Sequence, residues 1–452
     1  MVNQIIGRLR RMSPMKIIFL GYCVIVLMGT LLLSLPAATR TGQPSSFSDA
    51  FFTATSATCV TGLVRFDTYL HWSPFGQGVI LSLIQIGGMG FMTYAIALIA
   101  LMRRKIGLGT RVVMQNSIAA PHVGGIVRMT RFILLGSLLV EGIGALLLGF
   151  YFCPRIGLWQ GIWFAVFHSV SAFCNAGFDL MGDVTGPYSS LTGFVGNWYV
   201  TGIIMALIVI GGLGFFVWKD LLDTRFRFSR MRLHTKMVLS VTLLLILIGA
   251  LGIFLMEQES EAFAGKTLSE QAAGALFQSV TARTAGFNTL NLSAMTQSSQ
   301  FLLICLMMIG GSPGSTAGGI KTTTFGVMVM TIFSIFRKRK NMEAFGRRME
   351  DGVARSASCV FMMYLTLSLV AAMVISRVEG LPLLSALFEC ASAIGTVGLS
   401  FGITPTLGML SKALLAGLML FGRVGSITIL LAFASEKNQA ASKLPLEKIQ
   451  IG

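Results

Sequence analysis

The chain has 452 residues, of which 54% are hydrophobic and only 12% charged, with a mean hydropathy of +0.77 and a formal net charge of +17. Soluble domains carry about 25% charged residues, so the composition excludes the ordinary soluble class and marks an integral membrane protein. A basic balance could also indicate nucleic acid, but the Lys and Arg residues sit in short connections between apolar spans, where membrane orientation accounts for them and no nucleic-acid partner is needed.

The first apolar span, Met15 to Pro36, is flanked by Arg8, Arg10, Arg11 and Lys16. It is longer than a signal-peptide core and lacks a clean small-residue cleavage site, which favours a retained transmembrane helix over a cleaved signal. Seven further spans reach the roughly 20 residues a bilayer crossing needs: about 75–102, 128–152, 197–218, 236–256, 301–335 with an interruption, 359–377 and 409–434. Between each odd and even span lies a shorter apolar run: Phe47 to Thr55, Ile162 to Val170, Gln271 to Ser279, and Leu384 to Ala391. Runs of that length cannot cross a bilayer as helices, so they read as re-entrant pore helices. The seven cysteines show no CxxC pair and read as small buried hydrophobes.

Each short run leads into a similar string. Ser56 to Leu63 is SATCVTGL, Ser171 to Phe178 is SAFCNAGF, Val280 to Phe287 is VTARTAGF and Ser392 to Leu399 is SAIGTVGL. Their glycines fall at 62, 177, 286 and 398, at intervals of 115, 109 and 112 residues, so the chain reads as one unit written four times. The expected fold is an all-α membrane protein of four repeats, each a helix, a pore helix and a second helix, giving eight transmembrane and four re-entrant helices around a pseudo-fourfold pore. The repeats occupy residues 1–105, 106–222, 223–340 and 341–440, followed by a tail, 441–452.

Four loops around one axis suit the coordination of a dehydrated cation by backbone carbonyls, which bind without a fixed charge that would trap the ion. Successive carbonyls can face one axis only if the backbone visits regions that side chains disfavour, which gives Gly62, Gly177, Gly286 and Gly398 a physical reason. The matching loop residues are Cys59, Val60 and Thr61; Cys174, Asn175 and Ala176; Arg283, Thr284 and Ala285; and Gly395, Thr396 and Val397. Arg283 would repel a cation in the ion path, so its guanidinium is expected to point away and brace its loop. Val280 stands where the other three strings have Ser.

A second match lies in the even spans: IGGMG from Ile86 to Gly90, IGGLG from Ile210 to Gly214, IGGSPG from Ile309 to Gly314 and FGRVG from Phe421 to Gly425. In the third unit it extends through Gly310, Gly311, Ser312, Pro313, Gly314, Ser315, Thr316, Ala317, Gly318 and Gly319 to Lys321. Glycine costs a helix about 1 kcal/mol and proline about 3, so this segment should break into a loop at membrane depth. Such a loop must line protein interior or a water-filled cavity, and directly below a filter it is a candidate gate. A small-residue packing face and a transporter-type unwound helix are the alternatives. Arg423 takes the place of Gly88, Gly212 and Gly311. A mid-membrane arginine is kept for a reason. It either sets an electrostatic barrier below the filter or caps carbonyls of the broken helix. Glu141, His168 and Glu389 read as hydrogen-bonded support or as a proton relay.

Basic connections fix the direction. Arg103, Arg104, Lys105 and Arg111, then Lys219 to Lys236, then Arg337 to Arg355, all follow even spans, which puts them and both termini in the cytoplasm and lets the re-entrant segments enter from outside. They serve orientation, or dock a cytoplasmic partner or anionic lipid. The outer connections include Asp67, Asp179, Asp183, Glu257, Glu259 and Glu261, a mildly negative mouth that would concentrate cations. No HExxH or paired carboxylates suggest an intramembrane enzyme, and units that all begin on one side argue against the inverted repeats of a secondary transporter.

Together the four glycine-ended loops, GGSPGSTAGGIKTTT and Arg423 resemble the Trk/Ktr/HKT superfamily of potassium transporters over nearly the whole chain. Within it, the start at the first repeat is most similar to the membrane subunits of bacterial Ktr systems. The resemblance implies potassium uptake through a gated filter by a homodimer in the bacterial cell membrane, without a covalent cofactor. It further implies that the four glycines belong to the filter, with K+ at their carbonyls, and that the Gly310 to Lys321 loop and Arg423 form the gate. A cytoplasmic nucleotide-binding RCK ring would control that gate, sodium dependence is common in the family, and the tail ending LPLEKIQIG is similar to one at the dimer interface. A less selective potassium/sodium channel, or a sodium-coupled symporter without a regulatory ring, is the alternative.

Overall fold

The computed structural model describes residues 13–94, 111–113, 115, 125–339, 341–350 and 352–425. The tail 441–452, both termini and the basic residues Arg103, Arg104 and Lys105 lie outside the described residues. Helices α1 (Pro14–Leu33), α2 (Phe47–Thr58) and α3 (Pro74–Met89) come first, followed by α4 (Ile126–Ile156), α5 (Leu158–Phe173), α6 (Trp198–Leu213) and α7 (Phe215–Asp223). Then come α8 (Leu233–Met256), α9 (Leu268–Thr281), α10 (Gln297–Met308) and α11 (Thr322–Phe336), and last α12 (Val353–Glu379), α13 (Leu383–Gly395) and α14 (Met409–Val424).

α1, α4, α8 and α12 are 20 to 31 residues long, enough at 1.5 Å per residue to cross a hydrocarbon core. They expose Leu31, Leu139, Leu146, Leu251, Leu255, Met362 and Met373. Water would not tolerate such a continuous apolar belt; lipid does. α2, α5, α9 and α13 are shorter, 12 to 16 residues, and are largely enclosed. Their N-termini are set by sequence: Ser46 accepts from Asp49 N–H, and Thr267 with Glu270 forms a reciprocal capping box.

Packing runs in a cycle. α2 lies against α1 and α3, α5 against α4 and α6, α9 against α8, and α13 against α12 and α14. In addition α3 packs on α5, α6 on α9, α10 on α13 and α14 back on α2. Two carboxylates staple adjoining helix ends. Glu257 at the end of α8 accepts from Thr296 N–H (3.0 Å) and its hydroxyl (2.7 Å), while Glu379 at the end of α12 accepts from Gly408 N–H (2.9 Å). The closing contact carries an ion pair, Lys412 Nζ to Asp49 Oδ1 at 2.8 Å, with Arg65 at 3.4 Å from the same oxygen.

The expectation that only the third unit's second helix is interrupted needs correction. Among the described residues four helices are long enough to span, and a fifth span requires joining α6 and α7 across a 90° bend. α3 stops at Met89, α6 at Leu213 and α14 at Val424, and the residue that follows each is a glycine with φ of +81°, +93° and +94° respectively. The second helix is therefore broken at the same motif wherever it is described, and α10 ends at Met308 with helix resuming only at Thr322. The bend leaves room only for glycine: a Cβ on Gly214 would run into the Pro313 carbonyl of the α10–α11 loop.

Candidate functional site: a closed ring of glycine loops over a broken helix

The loops after α2, α5, α9 and α13 share one backbone design. Val60, Asn175, Thr284 and Thr396 have φ of +57°, +58°, +76° and +51°, and two residues later Gly62, Gly177, Gly286 and Gly398 have φ of +88°, +70°, +83° and +97°. Positive and negative φ thus alternate along each loop, the pattern by which successive carbonyls can be turned to one side. Four side-chain-bearing residues held in the left-handed region, three of them the β-branched Val60, Thr284 and Thr396, cost of order 1 kcal/mol each and persist only because their surroundings dictate it. The glycines were foreseeable from sequence; the second left-handed position was not.

The loops meet head to side in a cycle. A Cβ on Gly62 would strike the Ala176 carbonyl oxygen, one on Gly177 that of Ala285, one on Gly286 that of Val397, and one on Gly398 that of Thr61, all closer than 3.0 Å. Each glycine therefore lies against the carbonyl that precedes the next glycine, and the fourth returns to the first. The ring floors a cavity of about 400 Å³ that also touches Asp67, Asp179, Asn288, Ser400 and Thr404.

Hydroxyls behind the ring tie each loop to its own helix. Ser56 accepts from Gly62 N–H (3.1 Å) and Ser392 from Gly398 N–H (3.0 Å), while Ser171 donates to the Phe178 carbonyl and Thr281 to that of Phe287, both at 2.6 Å. Aligning the third string on its glycine placed Val280 opposite these serines. The structure corrects this: Thr281 takes the role, and the third connection is one residue shorter, so Ala285 N–H bonds four residues back where Thr61, Ala176 and Val397 bond five back. Hydroxyls six residues before three of the glycines were the available signal; the deletion hid the fourth.

Arg283 is 8% exposed, and its Nη2 reaches Thr242 of α8 at 3.4 Å rather than a neighbouring loop. Cys59 and Cys174 are buried, the latter 3.5 Å from Gln85 Oε1, whose amide in turn donates to Glu141 at 2.9 Å. His168 bridges the Phe164 carbonyl (2.7 Å) and Leu180 N–H (3.3 Å).

Beneath the ring the Gly310 to Lys321 loop is an ordered element. Gly310 N–H bonds the Ile320 carbonyl at 2.8 Å and Thr322 N–H that of Gly311 at 3.0 Å, closing its base, where the Ser312 and Thr322 hydroxyls sit 2.9 Å apart. Its tip takes the carbonyls left open by the bend in α6: Ser312 N–H bonds Gly212 at 3.0 Å, Thr316 N–H bonds Gly211 at 3.3 Å, and Gly314 accepts from Phe215 at 2.8 Å. The helix break and the bend satisfy each other's backbone, which is what permits irregular chain inside a membrane protein. The loop also touches the ring from below: Thr316 donates to the Phe173 carbonyl at 3.0 Å and lies 3.3 Å from the Asn175 amide, and Gly318 abuts Thr396. Lys321 Nζ curls back onto the Ala317 carbonyl at 2.8 Å. Arg423 spans two elements, donating to the carbonyls of Gly87 and Gly88 at the broken end of α3 and to that of Thr316 in the loop.

Lipid-facing helices around a closed ring of carbonyl-presenting loops define a polytopic cation-transport protein rather than an enzyme. A family model described as TrkH, cation transport protein, matches residues 17–444, and this chain belongs to that family. It is 40% identical over 449 residues to the potassium/sodium uptake protein NtpJ of Enterococcus hirae, covering 98% of both chains. It is 37% identical over 425 residues, 94% of both chains, to Ktr system potassium uptake protein B of Bacillus subtilis. The crystal structure of the potassium transporter TrkH from Vibrio parahaemolyticus shares the fold, with a TM-score of 0.69 over 92% of this chain and 84% of that one at 20% identity.

Proposed function

We propose that this chain takes up potassium across a bacterial cell membrane through one pore formed by four helix, pore-helix, helix repeats, with the boundaries read from the sequence. The cyclic contact of Gly62, Gly177, Gly286 and Gly398 carries the reading, because a ring of carbonyls supplies the oxygen shell that a dehydrated cation gives up. The filter comprises these glycines and the three residues before each. The loop from Gly310 to Lys321 is the gate, and Arg423 is its latch, joining the loop to the end of α3 through three carbonyls. Both termini are cytoplasmic, the protein works as a homodimer, and a nucleotide-binding RCK ring meets the basic cytoplasmic face. Sodium is coupled or carried, as the name of the Enterococcus hirae relative suggests for that protein.

Purified protein in liposomes, assayed for potassium or rubidium uptake at defined sodium with and without the cytoplasmic partner, tests this reading. Wild-type protein should accumulate potassium, and Gly398→Ser should lower the preference for potassium over sodium by at least about tenfold, the scale of one displaced ion-coordinating carbonyl. Unaltered preference in that variant would remove the account of the filter.

A further inference from the structure

Glu389 stands in α13 nine residues before Gly398 and is fully buried; Thr53, His168 and, with the shorter third connection, Gln278 hold the corresponding places before the other glycines. A bare carboxylate there would be costly, and its partners explain how it is held. Ser400 Oγ donates to Glu389 Oε1, and Thr404 Oγ1 donates to Oε2 at 2.9 Å. Both donors lie just beyond the filter glycine of the same loop, and both residues line the cavity above the ring.

A hydroxyl has one proton to give and two lone pairs to offer. With both protons committed to Glu389, the 3.2 Å contact between Ser400 Oγ and Thr404 Oγ1 brings two acceptors together. Ser400 spends one lone pair on Gly402 N–H at 2.9 Å and keeps another; Thr404 keeps both. Two oxygens locked as acceptors, a short step above a carbonyl ring and backed by a carboxylate, form the kind of site a hard monovalent cation seeks.

We propose that Ser400 and Thr404 form a cation-ligating step at the filter mouth for a partly dehydrated alkali cation, and that Glu389 is the positioning residue that fixes their polarity. The inference rests on the reading of this chain as a conducting pore. Glu389→Gln separates it from a merely structural brace. The variant nearly preserves size and can still make two hydrogen bonds, but its NH2 must donate into one hydroxyl and occupy the lone pair a cation would use. Thr404→Val removes a ligating oxygen with little change of shape, and Ser400→Ala removes the other.

Potassium uptake by full-length protein in liposomes is measured against external potassium, with gel filtration and thermal unfolding as controls of folding. For Glu389→Gln and Thr404→Val the expected result is a KM raised about tenfold with a maximal rate within about twofold of wild type, and for Ser400→Ala a smaller rise, about threefold. Wild-type KM in Thr404→Val and Ser400→Ala would overturn the proposal whatever Glu389→Gln does, and so would a fall in maximal rate alone. Should Glu389→Gln fail to fold, the two hydroxyl variants decide the matter. Wild-type protein that moves no potassium in the same vesicles would sink the pore reading and this inference with it, whereas active wild type with unmoved variants sinks only the inference.

Discussion

At the ring glycines a side chain is excluded twice, by a φ of +70° to +97° and by a neighbouring carbonyl standing where the Cβ would go. Either alone costs of order 1 kcal/mol or more; together they mean that any other residue there displaces the neighbouring loop. The loop side chains are freer: Val60, Asn175, Thr284 and Thr396 share a conformation and little else. Asp179 in the cavity wall belongs to this scale too. Burial, reinforced by the nearby Asp67 carboxylate, pushes it from 3.8 up to about 7, against the pull of Met181 N–H. Raising external pH from 6 to 8 should therefore add a negative charge to the mouth and lower the KM for potassium, by about threefold for one charge partly screened by water, and Asp179→Asn should flatten that profile. The sign for stability is opposite. The unfolded chain ionises first, so stability falls as pH rises from 3.8 to about 7 and is level above it, a slope the same variant removes in thermal unfolding.

The broken helices gain their meaning as a set of interlocking elements. α6 bends at Gly214 and frees carbonyls at Gly211 and Gly212; the Gly310 to Lys321 loop supplies N–H groups to meet them; Arg423 from α14 holds the loop tip and the end of α3 together. The loop is thus an ordered element, and as the proposed gate it would open only by breaking several backbone bonds at once, in a two-state rather than a floppy manner. Deleting residues between Gly310 and Gly319 should raise flux without the cytoplasmic partner by about tenfold or more, measured in the same liposome assay. Unchanged or reduced flux from a folded deletion variant would count against a gate.

Across the whole molecule the cycle of packing has one seam, where α14, near the end of the described chain, returns to α2, near its start. Lys412 and Asp49 close it with side chains only 12% and 14% exposed, and Arg65 supports the same carboxylate. Lys412→Met should destabilise the folded protein by about 1 to 2 kcal/mol, less than a fully buried pair because water still reaches it and Arg65 remains. Thermal unfolding in detergent would register this as a lower midpoint, and adding Asp49→Asn should restore part of the loss, since an unpaired carboxylate is then no longer left behind. An unchanged midpoint in Lys412→Met would mean that helix packing alone closes the ring.

Local chemistry was readable in the order of residues: apolar length sets which helices can cross a bilayer, Gly and Pro punctuation marks the break after Met308, and equal spacing of Gly62, Gly177, Gly286 and Gly398 marks them as one kind of position. Features that depend on a neighbour distant in sequence were not. The break at Gly90, the 90° bend at Gly214 and the stop at Gly425 sit in apolar runs that continue past them, and at Gly214 the atom that excludes a side chain is the Pro313 carbonyl of a distant loop. The one-residue deletion before Gly286 emerges only when Thr281 is seen to occupy the place of a serine. Arg423 was visible as an anomaly, but its role as a cap on Gly87, Gly88 and Thr316 needed three segments brought together. Sequence by itself determined the solvent, the helices and the glycines, because hydrophobicity and φ preference are properties of single residues and their spacing. Tertiary structure alone decided which carbonyl each glycine faces and which hydroxyls are drawn onto Glu389, because contacts and hydrogen bonds are properties of pairs.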